Sequence, residues 1–380
     1  MMFDIIIKNG HVFDPLTGRS EVTDIGITGK KIARTGHIDE TCRQMIDASG
    51  CFVVPGLIDF HVHCAYGMCA YGMPPDSLLS SGVTSTVDGG TTGIANYEAF
   101  YRNIVCNSIV DIKTFLLVSS SGQISGRVTE NMDPGLFEED KILDLCDKYR
   151  DNIIGIKVRM EKKIVGKFGL EPLKRTIEIA DKAGLPISVH ASDTPGEVKD
   201  TLDLLRPGDI FCHVFHQMGK TILDENGILL PEVWEAQKRG VLFEIGHGSL
   251  RFSGPVCKAA LDQGFMPDLI SSDLGLLSMN IAPTYSFTYI LSELLALGMK
   301  FEDIITLCTK APARITHPSL RSFLEEGQAA DIAILRTVDR KRHYIDTYGN
   351  EFDGNQMIKP EMTIKDGLIV HRQWDFFNMQ

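Results

Sequence analysis

Residues 55–63, Pro55-Gly56-Leu57-Ile58-Asp59-Phe60-His61-Val62-His63, form an apolar run that opens after a Pro-Gly break and ends on two histidines. On an extended strand, positions i and i+2 point to the same side, so His61 and His63 can enter one metal sphere. Further along, short β-branched or apolar runs recur at 83–88, 112–118, 153–159, 186–190, 209–215, 241–246 and 268–272. Helical stretches lie between them, among them 138–149, 170–182, 231–239 and 254–263. With 54–62 as the first, eight strands alternate with helices, which is the count of an α/β fold of the (β/α)8 TIM-barrel type. Such barrels place the active site at the C-terminal ends of the strands. A doubly wound sheet is the competing fold, but no G-x-G-x-x-G turn follows the first strand.

Both chain ends read as strands. Phe3 to Ile7, His11 to Phe13, Thr23 to Thr28 and Lys31 to Ala33 precede the barrel segment, and Asp331 to Leu335 follows it. Asn9-Gly10 between apolar runs predicts a hairpin, and Ile364 to Val370, with Asp366-Gly367, repeats that pattern. Neither end has enough strands for a stable sheet. The expected organisation is therefore a small β-sandwich made by both ends, residues 1–54 and 316–380, with the barrel, 55–315, inserted between them.

The 380 residues are 43% hydrophobic and 23% charged, which excludes a disordered or fibrous chain. A formal net charge of −12, with Arg340-Lys341-Arg342 as the one short basic run, argues against nucleic acid as a partner. There is no long apolar span and no cationic leader, so no membrane association and a cytoplasmic location are expected. Nine cysteines without a C-x-x-C pair argue against a disulfide framework. They read as reduced core residues, although the spacing of Cys64 and Cys69 is also compatible with a metal clip.

The polar residues at strand ends carry the chemistry. Lys157 and His190 end strands four and five, His213 lies on strand six, and Asp273 follows strand eight. Their separations run near one βα unit of roughly 30 residues, or a multiple of it. Alone, a strand-end histidine is a hydrogen-bonded structural residue, Lys157 a snorkelling side chain and Asp273 a helix N-cap. Four histidines, an acid and a lysine converging on one barrel end make a costly cluster without a metal.

The string Pro55 to His63 resembles the P-G-x-I-D-x-H-x-H signature of the amidohydrolase superfamily, and Lys157, His190, His213 and Asp273 resemble its two-metal subtype. Ala311-Pro312-Ala313-Arg314 and Gly327 to Leu335 are similar to that family's C-terminal end. The resemblance implies that His61, His63 and Asp273 hold one divalent ion and His190 and His213 a second, with zinc the expected metal. Lys157, carboxylated by CO2, would bridge them, and a bridging hydroxide would be the nucleophile. Asp273 would accept its proton and pass it to the leaving group.

Dihydroorotases of this family usually carry an Arg two residues after H-x-H, where Ala65 stands here. Deaminases usually carry a Glu after the strand-five His, whereas Ala191-Ser192-Asp193 follows here. Lys157-Val158-Arg159, Gly246-His247-Gly248 and Ser271-Ser272-Asp273 are closer to bacterial dihydroorotase-like deacetylases. The implied function is removal of a small acyl group from an N-acyl or O-acyl, carboxylate-bearing small molecule. Cyclic-amide hydrolysis is the alternative, with deamination or a metal-free scaffold behind it, and a homo-oligomer is compatible with all of them. Arg159 could clamp a substrate carboxylate, or pair with an acid such as Glu161. His247 could contact substrate or make a structural hydrogen bond, and His216 reads as an outer or loop residue. In Gly89-Gly90-Thr91-Thr92-Gly93 the backbone could face an anion, or the glycines could serve a tight turn. No G-x-S-x-G, H-E-x-x-H or Walker motif is present.

Overall fold

A computed structural model describes residues 2–125, 128–316 and 323–376. The first strands of the C-terminal unit expected at 316–380 therefore follow a segment, 317–322, that lies outside the described residues.

Seven parallel strands pair in chain order: β6 (Leu57–Val62), β7 (Val83–Asp88), β8 (Asp111–Leu117), β9 (Ile153–Arg159), β10 (Ile187–His190), β11 (Ile210–Cys212) and β12 (Leu242–Glu244). Every residue of β6, β7 and β10 is buried, as strands covered on both faces require. The four anticipated helices form at Glu139–Lys148, Glu171–Ala183, Pro231–Arg239 and Gly254–Asp262. Gly184 and Gly240, in left-handed conformation, cap two of them and turn the chain toward the next strand.

The sheet curls until its edges meet through residues 269–274. Leu269 bridges to Glu244 and Leu274 to Val62; the Asp273 N–H donates to His61 O at 2.7 Å. This eighth segment makes isolated bridges rather than the strand expected at 268–272. The Ser272 N–H is taken by the Asp59 carboxylate at 2.9 Å, and Asp273 turns left-handed, φ 51°.

Strands from both chain ends share one eight-stranded sheet. From the N-terminal side come β1 (Phe3–Asp14), β2 (Arg19–Thr28), β3 (Lys31–Thr35), β4 (Cys42–Asp47) and β5 (Phe52–Pro55). The C-terminal side adds β13 (Ile332–Ile345), β14 (Glu351–Lys365) and β15 (Leu368–Arg372). The order is β15-β14-β13-β5-β1-β2-β3, with β4 also on β1. Its apolar cluster draws on both ends, for example Ile5, Ile27, Val53, Ile334 and Ile364.

One expectation fails here. Asn9-Gly10 does not make a hairpin: β1 runs straight through it, and Asn9, φ 61°, sits where the register against β2 shifts between Ile7 and Gly10. β1 has partners on both sides, antiparallel β2 and parallel β4 and β5, so the left-handed residue is absorbed as a bulge. At Asp366-Gly367, φ 50° and 73°, the same grammar does turn the chain, and Lys365 pairs with Leu368.

Candidate metal centre

At the C-terminal ends of the parallel strands lies a cavity of about 310 Å³ whose wall includes His61, His63, Lys157, His190, His213 and Asp273. The structure thus brings together all six residues singled out from the sequence. Outer partners fix how the rings face. His61 Nδ1 lies 2.9 Å from Glu244 Oε1, a buried carboxylate that burial alone would raise but that His61 holds down at about 2. The ring therefore carries its proton on Nδ1 and turns the Nε2 lone pair inward. Thr91 gives its hydroxyl proton to Asp88, at 2.8 Å, and so accepts from His63 Nδ1 at 2.7 Å. His213 Nδ1 donates to Gly246 O at 2.7 Å.

Two inward Nε2 atoms, of His61 and His63, then face Asp273 Oδ1 at 3.5 and 3.0 Å. Lone pairs set against a carboxylate repel unless a cation stands between them, so this donor set fits a divalent ion. His213 Nε2 and His190 Nδ1 are 3.0 Å apart, close to the edge of about 3.3 Å that Zn–N bonds of about 2.0–2.1 Å would give a tetrahedron. Burial holds both rings well below the usual imidazole range, with His213 adding to the effect on His190 and His61 to that on His213. Both are therefore neutral and able to donate a lone pair.

Lys157 is buried, and its Nζ bonds only Ser188 Oγ, at 3.1 Å. Among the described residues no carboxylate lies within ion-pair distance of it. A buried ammonium beside four imidazoles with no carboxylate in contact is unfavourable, whereas a carbamate on the same nitrogen would supply an anion to the pair of sites. The chemistry of the donors fits the group.

The glycines next to the site make room. A Cβ on Gly89 would stand 2.2 Å from His61 Nε2, and one on Gly90 2.5 Å from Lys157 Cβ. At Gly89 and Gly90 the backbone thus comes close to His61 and Lys157. In Gly246-His247-Gly248 the glycines also border the site, against His213 Nδ1 and Asp273 Oδ2. His247 itself points away: it is fully buried, its Nε2 is 2.7 Å from Glu293, and its ring stacks on Phe252. The structure gives it the structural hydrogen bond rather than a place on the cavity wall.

Arg159 does line the cavity, and it also bonds Glu130 at 3.1 Å and Glu161 at 3.2 Å. The pairing with Glu161 read from the sequence is present, on a side chain that also reaches the cavity wall. His216 is buried and accepts the Met218 N–H at 3.1 Å. Cys64 packs against Asp88, and all nine cysteines are free. Cys212 Sγ, 3.3 Å from His61 Nδ1, is held protonated by burial, which leaves it a poor ligand. Sequence reasoning missed Glu244, Glu130 and Arg251. An acid inside the apolar run Leu242-Phe243-Glu244-Ile245 was a usable signal.

A curled parallel α/β sheet with metal-competent histidines at its C-terminal strand ends defines a class of hydrolytic enzyme. The chain belongs to the amidohydrolase family, whose model matches residues 52–370, and it acts on carbon–nitrogen bonds. It is 32% identical over 347 residues to a deacetylase of Agrobacterium fabrum, covering 90% of this chain and 85% of that one. It is similar to the crystal structure of an adenine deaminase, with a TM-score of 0.89 at 29% identity over 98% of this chain and 100% of the other. It also resembles that of a dihydroorotase, with a TM-score of 0.87 at 31% identity over 96% and 97%.

Proposed function

We propose that the protein removes a small acyl group from an N-acyl or O-acyl small molecule that carries a carboxylate. The observation that carries this reading is the single cavity in which six metal-competent residues and Arg159 share a wall. The likeness to a deacetylase over most of both chains supports it. In this reading His61, His63 and Asp273 hold one ion, His190 and His213 the other, and a carbamate on Lys157 lies between. Bound zinc ions would acidify a water and polarise the scissile carbonyl. Arg159 receives the carboxylate, Glu130 and Glu161 fix its orientation, and Asp273 carries a proton to the leaving nitrogen or oxygen. The parallel sheet with residues 269–274 is then the (β/α)8 barrel of a cytoplasmic enzyme, and the terminal sheet its β-sandwich.

Ring opening of a cyclic amide is the second reading, favoured by the likeness to a dihydroorotase. Against it, Ala65 is fully buried and offers no cation where such an enzyme would place one. The test is a hydrolysis screen of zinc-loaded protein over N-acyl amino acids, O-acyl hydroxy acids, cyclic amides and aminopurines, with metal analysis. Two ions per chain and turnover of linear acyl carboxylates are expected; turnover of dihydroorotate alone overturns the first reading.

A further inference from the structure

We propose that Arg251 is the second arm of the substrate-carboxylate clamp, and that a hairpin of the terminal sheet holds it in place. This rests on the deacylation reading, in which Arg159 alone received the carboxylate.

Among the described residues, and apart from Lys157 and Asp273, the charged side chains on the cavity wall are Arg159, Lys163, Arg251 and Glu130. Glu161, buried behind them, is shared: its Oε2 lies 3.2 Å from Arg159 and 3.1 Å from Arg251, and its Oε1 lies 2.7 Å from Lys163. Among the described residues of this group, three cations thus share two carboxylates, which leaves one positive charge to face an anion in the cavity. One carboxylate oxygen also ties the two guanidinium groups to a common point, so both forks border the same space.

The two arginines differ in what they have free. Arg159 spends one terminal nitrogen on Glu130 and the other on Glu161. Arg251 spends one on Glu161, and the other meets only the Met218 thioether at 2.9 Å and Leu250 O at 3.3 Å. A thioether is a weak acceptor, so this nitrogen gains from a carboxylate.

The loop bearing Arg251 follows β12 and is braced from the other sheet. The tip between β13 and β14 lies on it: Thr347 Oγ1 donates to Ser249 O at 3.0 Å, and Asp346 Oδ2 accepts the Gly254 N–H at 2.8 Å. The Tyr348 hydroxyl donates to Leu250 O at 3.3 Å and accepts the Gln217 N–H at 3.1 Å. Tyr348 is accordingly a positioning residue, acting through Arg251.

Butanoate and its neutral isostere butanamide, neither with a scissile acyl group, probe the clamp by titration of zinc-loaded protein followed by thermal shift. Arg251→Met should weaken butanoate by about 10- to 100-fold, as expected for a lost charge-assisted hydrogen bond, and leave butanamide unchanged. Arg251→Lys should recover part of the loss, and Tyr348→Phe should weaken butanoate by about 2- to 10-fold. On an N-acetyl amino acid, Arg251→Met should raise KM with kcat held within a few-fold. Absence of butanoate binding to the wild type, unchanged affinity in Arg251→Met, or equal losses for both probes overturns the clamp. If Arg251→Met does not fold, the Lys and Tyr348→Phe arms decide. Failure of the wild type to hydrolyse any acylated carboxylate would overturn the deacylation reading instead, with butanoate still reporting on Arg251.

Discussion

Glu244→Gln tests whether the outer contacts set metal affinity. Glu244 Oε1 accepts from His61 Nδ1 at 2.9 Å and from the Ser271 hydroxyl at 2.5 Å, and it touches neither His190 nor His213. An amide oxygen in its place keeps both hydrogen bonds and removes the charge. A charge-assisted hydrogen bond contributes about 1.5–3 kcal/mol and a neutral one about 0.5–1.5, so the difference is about 1–1.5 kcal/mol. That corresponds to about 10-fold in affinity. Glu244→Ala also strands the buried His61 N–H and Ser271 hydroxyl, and should reach about 100-fold, the upper end for partners of metal ligands. Titrating zinc-loaded protein with a chelator reads both. The ion held by His61 and His63 should leave first, so that an intermediate with one ion per chain accumulates in the variant and not in the wild type. Wild-type retention in Glu244→Ala, or equal weakening of both ions, would refute the argument that Glu244 orients His61 alone.

Three more expectations follow from the same geometry. Lys157→Ala should lose most activity and regain part of it in propionate, whose carboxylate can occupy the space of a carbamate; full activity without propionate would remove Lys157 from the ligand set. Asp273→Asn should lose about 10²- to 10⁴-fold more rate on amides than on an activated ester, since only a poor leaving group needs the returned proton; equal losses would leave Asp273 a ligand only. His216, buried, is pulled down to about 4 by desolvation, with Arg251 adding to the effect. A depressed histidine stabilises the fold fully above its ordinary 6.5 and loses that contribution as pH falls toward 4, about 2 kcal/mol by pH 5. His216→Asn should therefore lose less stability to urea between pH 7 and 5, by about that amount; an unchanged acid loss counts against a buried neutral His216.

The legible part of this protein is the part governed by short-range periodicity. Buried parallel strands read as unbroken apolar runs, so β6 to β12 stood out with their neighbouring helices, and a ligand ending such a run announced itself by residue type. Asn9-Gly10 and Asp366-Gly367 show where this stops: identical local grammar produced a bulge in one case and a turn in the other. The difference lies in β4 and β5, which pair with β1 from more than 30 residues away and hold it straight. The eighth segment was placed correctly, yet its irregularity depends on Asp59, over 200 residues earlier in the chain. Glu130 and Arg251 lie outside the strands, where no period marks which side chain reaches the cavity. His247 was left between a substrate contact and a structural hydrogen bond, because a strand-end position does not reveal a partner such as Glu293, carried on the helix Phe287–Ala296.

The proposed metal ligands divide by how the backbone delivers them. His61 lies on a strand of six residues, with His63 immediately beyond it, and the i, i+2 spacing puts both on one side although the register against β7 shifts between Asp59 and Val62. His213 and Asp273 are reached only by leaving the strand: β11 stops at Cys212, and both residues take a left-handed φ, 67° and 51°. Non-glycine residues held there cost of order 1–3 kcal/mol each, and they persist when the surroundings over-determine them. The surroundings do so here. Gly246 O receives His213 Nδ1 while the missing Cβ of Gly246 clears the ring, and Gly248 clears the Asp273 carboxylate. The Asp273 N–H is tied to His61 O across the closing edge of the sheet, so the strand that carries one ligand also fixes another. Strain at the site is therefore offset by contacts made on the side facing away from the cavity, and the donor atoms are aimed by the protein itself.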